Sequence, residues 1–156
     1  VRLAQGKFAD ARRLYGDLNA DPAVVASHDF RLQAQLGYAR CQIGQKQYRA
    51  AAETVKEKIL QAKRTETPRL DHYRAQAWII WGIADEGLAT GDREKLEWAL
   101  IHYLRGAILA GSGNREDLAE ALYRAKEIWK RLGQDERAEE LKQRLSKLCP
   151  DSPWNK

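Results

Sequence analysis

The chain has 156 residues, 44% of them hydrophobic, with only four prolines and eleven glycines, which is enough for one domain with a sizeable core. Ala, Leu, Glu, Lys, Arg and Gln dominate, and no segment alternates apolar and polar residues, so a β-rich fold is excluded and an all-α chain is expected. The formal charge of +5 is uneven: residues 1–70 carry 13 basic and 7 acidic side chains, residues 71–112 carry 4 and 6, and the remainder 10 and 9.

Seven helices are expected. The first covers about Lys7 to Asn19 and ends at Asp21-Pro22. Ser27 caps the second, which runs to Ile43 with Gly44 as its stop. The third runs from about Gln47 to Arg64, and Thr65-Glu66-Thr67-Pro68 breaks the chain. Pro68 opens the fourth as its first residue, a position where the missing N–H is harmless, and that helix reaches Ala89. Asp92 caps the fifth, which ends near Ala110. Asn114 caps the sixth, Gly133 ends it, and the seventh covers Asp135 to Leu148. Pro150-Asp151-Ser152-Pro153 marks a non-helical tail.

These helices fall into hairpins that recur. Leu36-Gly37-Tyr38-Ala39 matches Trp81-Gly82-Ile83-Ala84 at a spacing of 45 residues. Gly6-Lys7-Phe8-Ala9-Asp10-Ala11 at the start parallels Gly133-Gln134-Asp135-Glu136-Arg137-Ala138 near the end, each followed by an apolar stripe and a proline. Repetition at a few tens of residues is the mark of a solenoid whose units bury their apolar faces only against neighbours. Gly inside a helix costs about 1 kcal/mol against Ala, so Gly37 and Gly82 require a reason, and close approach of a neighbouring helix supplies one.

The order large apolar, Gly, small, Gly turn, aromatic, Ala, apolar, Pro resembles the tetratricopeptide repeat (TPR). Leu36, Gly37, Gly44, Tyr48 and Ala51 carry it in one unit, and Trp81, Gly82 and Gly91 in the next. Gly133, Ala138, Leu145 and Pro150 carry it in the last unit, and Gly6, Phe8, Ala11 and Pro22 in the first. The family period is about 34 residues, and the spacings here are longer, which alters the curvature. The resemblance implies a right-handed superhelix of antiparallel helix hairpins over residues 1–150, with 151–156 as a tail. The first unit lacks most of its first helix, and the chain starts at Val1 with no Met, so a fragment of a larger protein is expected.

No P-loop, HExxH, GxSxG or dinucleotide fingerprint is present, so neither an enzyme nor a cofactor is expected. His28, His72 and His102 fall on separate helices, short of the three or four convergent ligands of a metal site. Cys41 and Cys149 lie 108 positions apart with no CxxC, which gives neither a redox nor a zinc pattern and places them too far apart for a disulfide. Gly111-Ser112-Gly113-Asn114 lacks the lysine of a phosphate cradle and reads as a helix-joining turn. No apolar run approaches the ~20 residues of a membrane span, and nothing fixes a compartment.

In TPR proteins the first helix of each hairpin lines the groove that holds peptides. The resemblance therefore implies partner contacts at Arg31, Gln35, Tyr38 and Gln42, at their counterparts Gln76, Ile80 and Ile83, and at Tyr123, Arg124 and Glu127, with Arg131 on the same side. The stretch Ala77-Trp78-Ile79-Ile80-Trp81-Gly82-Ile83-Ala84 is apolar all round, so it is either a core segment or an apolar groove floor. The expected function is a non-catalytic scaffold that binds a protein or peptide segment. The alternative is nucleic-acid or anionic-surface binding through the basic N-terminal half, including Arg12, Arg13, Arg40, Lys56, Lys63 and Arg64, although no sequence-reading module accompanies it. A third expectation is homo-oligomerisation through exposed repeat ends.

Overall fold

The computed structural model describes residues 6–61, 69–111 and 113–155, with the backbone alone for Arg69 and Leu70. Among these residues the chain is all-helical, without strands. Eight α-helices follow in order: α1 (Phe8–Ala20), α2 (Pro22–Ala26), α3 (His28–Gly44), α4 (Tyr48–Val55), α5 (Arg69–Leu88), α6 (Arg93–Ala110), α7 (Arg115–Arg131) and α8 (Asp135–Leu148).

The helix starts follow local chemistry. Ser27, Asp92 and Asn114 each accept a bond from a backbone N–H three residues on, satisfying a donor that the first helical turn leaves open. Gly133, at φ 73°, takes the left-handed turn after α7 that a side chain would resist.

Three details differ from expectation. Pro22 begins a helix as well as following one: Asp21 accepts from the Ala23 N–H at 2.8 Å, and Pro22 occupies the first turn of the short α2. Gly44 is helical, and the left-handed position after α3 belongs to Lys46, at φ 59°. The third expected helix is α4 followed by a π turn over Lys56–Leu60, where the Gln61 N–H reaches back five residues to the Lys56 carbonyl at 2.9 Å. The expected continuation to Arg64, the break at 65–68 and Ser112 lie outside the described residues.

From α3 onward each helix packs on the next, and α1 packs on α3. The alternate helices α3, α5 and α7 also touch in sequence, whereas among the described residues α4 does not reach α6 and α6 does not reach α8. Two apolar clusters result. Leu32, Leu36, Val55, Ile59, Tyr73 and Ile80 join α3, α4 with its π turn, and α5. Ile79, Leu100, Tyr103, Leu122, Ile128 and Leu145 join α5 through α8. The 77–84 stretch is mainly core: Ala77, Ile79, Ile80 and Ala84 are fully buried, while Trp78, Trp81 and Ile83 are half-buried.

Aromatic rings set against helical glycines fix the seams. Tyr15 covers Gly37 and Phe8 covers Gly44, both across α1 and α3. Tyr48 covers Gly87 across α4 and α5, and Tyr103 covers Gly82 across α6 and α5. Each ring lies where a Cβ would stand, so the helix-propensity penalty of the glycine is offset by the aromatic surface that it admits. Gly44, the last residue of α3, therefore admits Phe8 and does not take the left-handed position that follows a helix.

Candidate binding site

The row α3–α5–α7 carries the largest polar network, and its spacing is helical. On α5, His72, Gln76, Ile83 and Glu86 lie at i, i+4, i+11 and i+14, along one face. On α7, Glu120, Arg124, Glu127 and Arg131 lie at i, i+4, i+7 and i+11. Arg40 adds a cation from α3.

These residues form a chain of alternating charge. The Arg40 guanidinium stands 3.8 Å from Glu120, across the width of α5. Arg124 Nε donates to Glu120 Oε1 at 2.9 Å, and its Nη1 lies 4.0 Å from Glu86 Oε2. Arg131 Nη1 donates to Glu86 Oε1 at 2.7 Å, and the Tyr103 hydroxyl donates to Glu86 Oε2 at 2.7 Å. Glu120 is 8% exposed, so its pairing with two arginines removes the penalty of a lone buried charge. Burial pushes the Tyr103 hydroxyl well above the usual tyrosine pKa, and the nearby Glu86 carboxylate adds to this, so the phenol remains a donor. Burial also opposes the Arg124 charge, but Tyr103, Glu120 and Glu86 outweigh it and hold its pKa above the ordinary value.

A second cluster occupies the other end of the row. Asp117, 6% exposed, lies 3.0 Å from His72 Nδ1. It accepts from Asn114 Nδ2 at 2.8 Å and from Gln76 Nε2 at 3.3 Å. Asn114 caps α7 and Asp117 sits in its first turn, where a carboxylate complements the helix dipole. Burial nevertheless raises the Asp117 pKa above 3.8, with His72 and Gln76 pulling the other way. A hollow of about 390 Å³ opens beside the cluster, lined by Asp71, His72, Leu109 and Asn114.

Of the partner-contact residues expected from sequence, the structure brings Gln76, Ile83 and Arg124 onto or beside this network. Glu127 lies on the same helix face and accepts from Lys126 and Lys130 at 3.0 and 3.4 Å. Tyr123 packs on Trp154 of the tail, with ring centroids 5.4 Å apart, and the Lys126 ammonium stands over the Tyr123 ring. Arg31 is exposed at the start of α3, bonded to His28 at 2.9 Å, and Gln35 is half-buried. Tyr38 turns toward α1, where Arg12 Nε donates to its hydroxyl at 3.2 Å. Gln42 is buried against α4, accepting from the Thr54 hydroxyl, and Ile80 is fully buried, so neither presents side-chain surface to a partner. Helical counting alone cannot distinguish the side of α3 facing α5 and α7 from the sides packed on α1 and α4.

The sequence reading missed Glu86, Glu120 and Tyr103, and placed Arg40 only among dispersed cations. The available signal was the acid–base alternation at i, i+4, i+7 and i+11 on α7. Its partner Glu86 lies 38 residues before Arg124, and only the packing of α5 on α7 reveals it.

A third histidine lies at the α5–α6 contact. His102 is buried among Trp78, Trp81 and Trp98, with Nδ1 2.9 Å from Asp85 Oδ2 but off line for a hydrogen bond. Among the described residues no three His, Cys, Asp or Glu side chains converge on a metal position, both cysteines are free and buried, and no helix is long and apolar enough to cross a membrane. No protein-family model, curated protein or solved structure matches the chain.

Proposed function

We propose that this chain is a non-catalytic helical-repeat scaffold of TPR-like form, and that it binds a segment of another protein along α3, α5 and α7. In this reading these three helices line the inner, concave side of a solenoid. Contact along the inner row, without contact among α4, α6 and α8, supports that curvature. The observation that carries the function is the chain Arg40–Glu120–Arg124–Glu86–Arg131, which crosses all three helices.

The middle of this chain, Arg124 between Glu120 and Glu86, is paired on both sides, while its ends are more exposed. A guanidinium has five N–H donors; Arg40 pairs with Glu120 and lies within Coulombic reach of Asp117, Arg131 pairs with Glu86, and their side chains are 33% and 42% exposed. Half-buried Ile83 lies on α5, one turn before Glu86. A partner segment that offers carboxylates to the two arginines and an apolar side chain to Ile83 fits this pattern.

The experiment is affinity capture with the wild-type chain and with Arg40→Ala/Arg131→Ala, followed by titration of the captured partner. Loss of a charge-assisted hydrogen bond is worth about 1.5–3 kcal/mol, so the double variant should bind at least about tenfold more weakly while keeping its helical circular dichroism. Equal binding by a folded double variant would refute the assignment.

A further inference from the structure

The outer helices α6 and α8 each pack on α7, but among the described residues they do not reach one another. A hollow of about 420 Å³ occupies the gap. α6 turns one face toward it, with Arg93, Glu97, Leu100 and Ile101 at i, i+4, i+7 and i+8. Trp129 closes it from α7, Leu132 and Gln134 from the turn that follows, and Arg137 from α8. Leu100 and Leu132 are buried members of the apolar cluster that joins α5 through α8, so this wall is set by the core and stands ready-formed.

The lining divides by chemistry. Leu100, Ile101, Trp129 and Leu132 give it an apolar wall, whereas Arg93, Glu97 and Arg137 leave it one net positive charge. Arg93 Nε donates to Glu97 Oε1 at 3.0 Å, so that cation is already matched. Arg137 differs: its guanidinium stands 4.7 Å over the Trp129 ring, and among the described residues it meets no carboxylate. Asp135 and Glu136, in the same helical turn, do not line the hollow. A guanidinium stacked on a ring keeps its N–H edge open to an anion. The Gln134 side chain makes no cap bond to α8, which leaves its amide beside that edge as a second donor.

Size and charge then decide the occupant. The volume falls within the roughly 300–1,000 Å³ of small-molecule sites. It equals about one turn of an α-helix with its side chains, which is too little to seat a helical segment. One unmatched cation beside an apolar wall selects one anionic group on an apolar body. We propose that the α6–α8 hollow binds a small apolar monocarboxylate, with its body on Leu100, Ile101 and Leu132 and its carboxylate accepting from Arg137. None of these residues belongs to the α3–α5–α7 network, so this site and the partner-binding reading stand or fall separately.

Titration of the isotope-labelled chain with sodium octanoate, followed by amide NMR shifts, tests it. Saturable shifts are expected at α6 around Leu100, at the α7–α8 turn and at the start of α8. Octanol, with the same chain length and no charge, should bind about tenfold or more weakly, and octylammonium should leave these amides unmoved. Arg137→Gln should weaken octanoate about tenfold, the worth of one charge-assisted hydrogen bond. Glu97→Gln acts the other way: it removes the carboxylate that holds Arg93, frees a second cation and should tighten binding several-fold. Both positions are exposed, so both variants should keep their helical circular dichroism, and the opposite signs separate a role in binding from a loss of fold. The absence of saturable shifts, equal affinity for octanol, or shifts centred on the α1–α3 end or on Ile108 would overturn the proposal. So would octanoate binding that is indifferent to both substitutions.

Discussion

At Gly82 two opposing effects meet when alanine is substituted. Alanine favours the helix by about 1 kcal/mol, but its Cβ would stand 2.6 Å from Cε1 of Tyr103. That ring is fully buried and its hydroxyl is tied to Glu86, so it has nowhere to move. Overpacking of this kind costs about 1–3 kcal/mol, and we expect Gly82→Ala to lower unfolding stability by urea titration. At Gly87 the facing ring is Tyr48, which is half-buried and free to swing, so Gly87→Ala should cost less. Reversed ranks would contradict this reading of the seams. The need for close approach at Gly37 and Gly82 was legible because a glycine inside a helix costs about 1 kcal/mol and so requires a reason. Gly44 was misread for an equally physical reason: a glycine near a helix end looks like a stop, and Phe8, the ring that requires it, stands 36 positions earlier.

Asp117 gives a second test at this scale. Burial raises its folded pKa above the 3.8 of an ordinary aspartate, so the folded state holds a proton that the unfolded chain has already released. Its contribution to stability is therefore complete below 3.8 and is lost as pH rises through the folded value. Asp117→Asn lacks this titration. The stability of the wild type relative to the variant should fall as pH climbs above 3.8, measured by denaturant midpoints at each pH. A difference that is flat or rises with pH would contradict the burial-dominated environment.

Among the elements, α6 and α8 were legible to the residue, since Asp92 caps the first and the turn around Gly133 precedes the second. α2 was not, because Asp21-Pro22 reads equally well as the end of one helix and the beginning of another. The π turn at Lys56–Leu60 has no mark in composition. The tail was read as non-helical, but its packing was not foreseen in detail. Trp154 lies against Tyr123, and the Arg124 guanidinium is 5.5 Å from its ring, which couples the chain end to α7. Trp154→Ala should cost about 1–2 kcal/mol, less than the roughly 3–5 of a fully buried tryptophan, because the ring is half-buried. Thermal or denaturant unfolding that leaves the variant as stable as wild type would show the tail to be a passive appendage.

At the scale of the whole molecule, an all-helical chain was readable from composition and the absence of strand-like alternation, but the polar network across α3, α5 and α7 was not. Net charge is a property of the chain, whereas the ordered series from Arg40 to Arg131 exists only after three helices are packed side by side. Part of the basic bias of residues 1–70 meets local partners: Arg12 meets Tyr38, Gln45 and Gln47, Arg40 meets Glu120, and Lys56 stands over Trp81. Partner recognition on the α3–α5–α7 row can be tested without knowing the natural ligand. The most direct measurement is to select binders from a random peptide library and map the tightest by amide exchange on the wild-type chain. Peptides rich in carboxylates that protect α5 and α7 around Ile83 and Arg124, and that are lost with Arg40→Ala/Arg131→Ala, are the expected result. Binders that map to the exposed face of α6 around Trp98, or that ignore the two arginines, would contradict it.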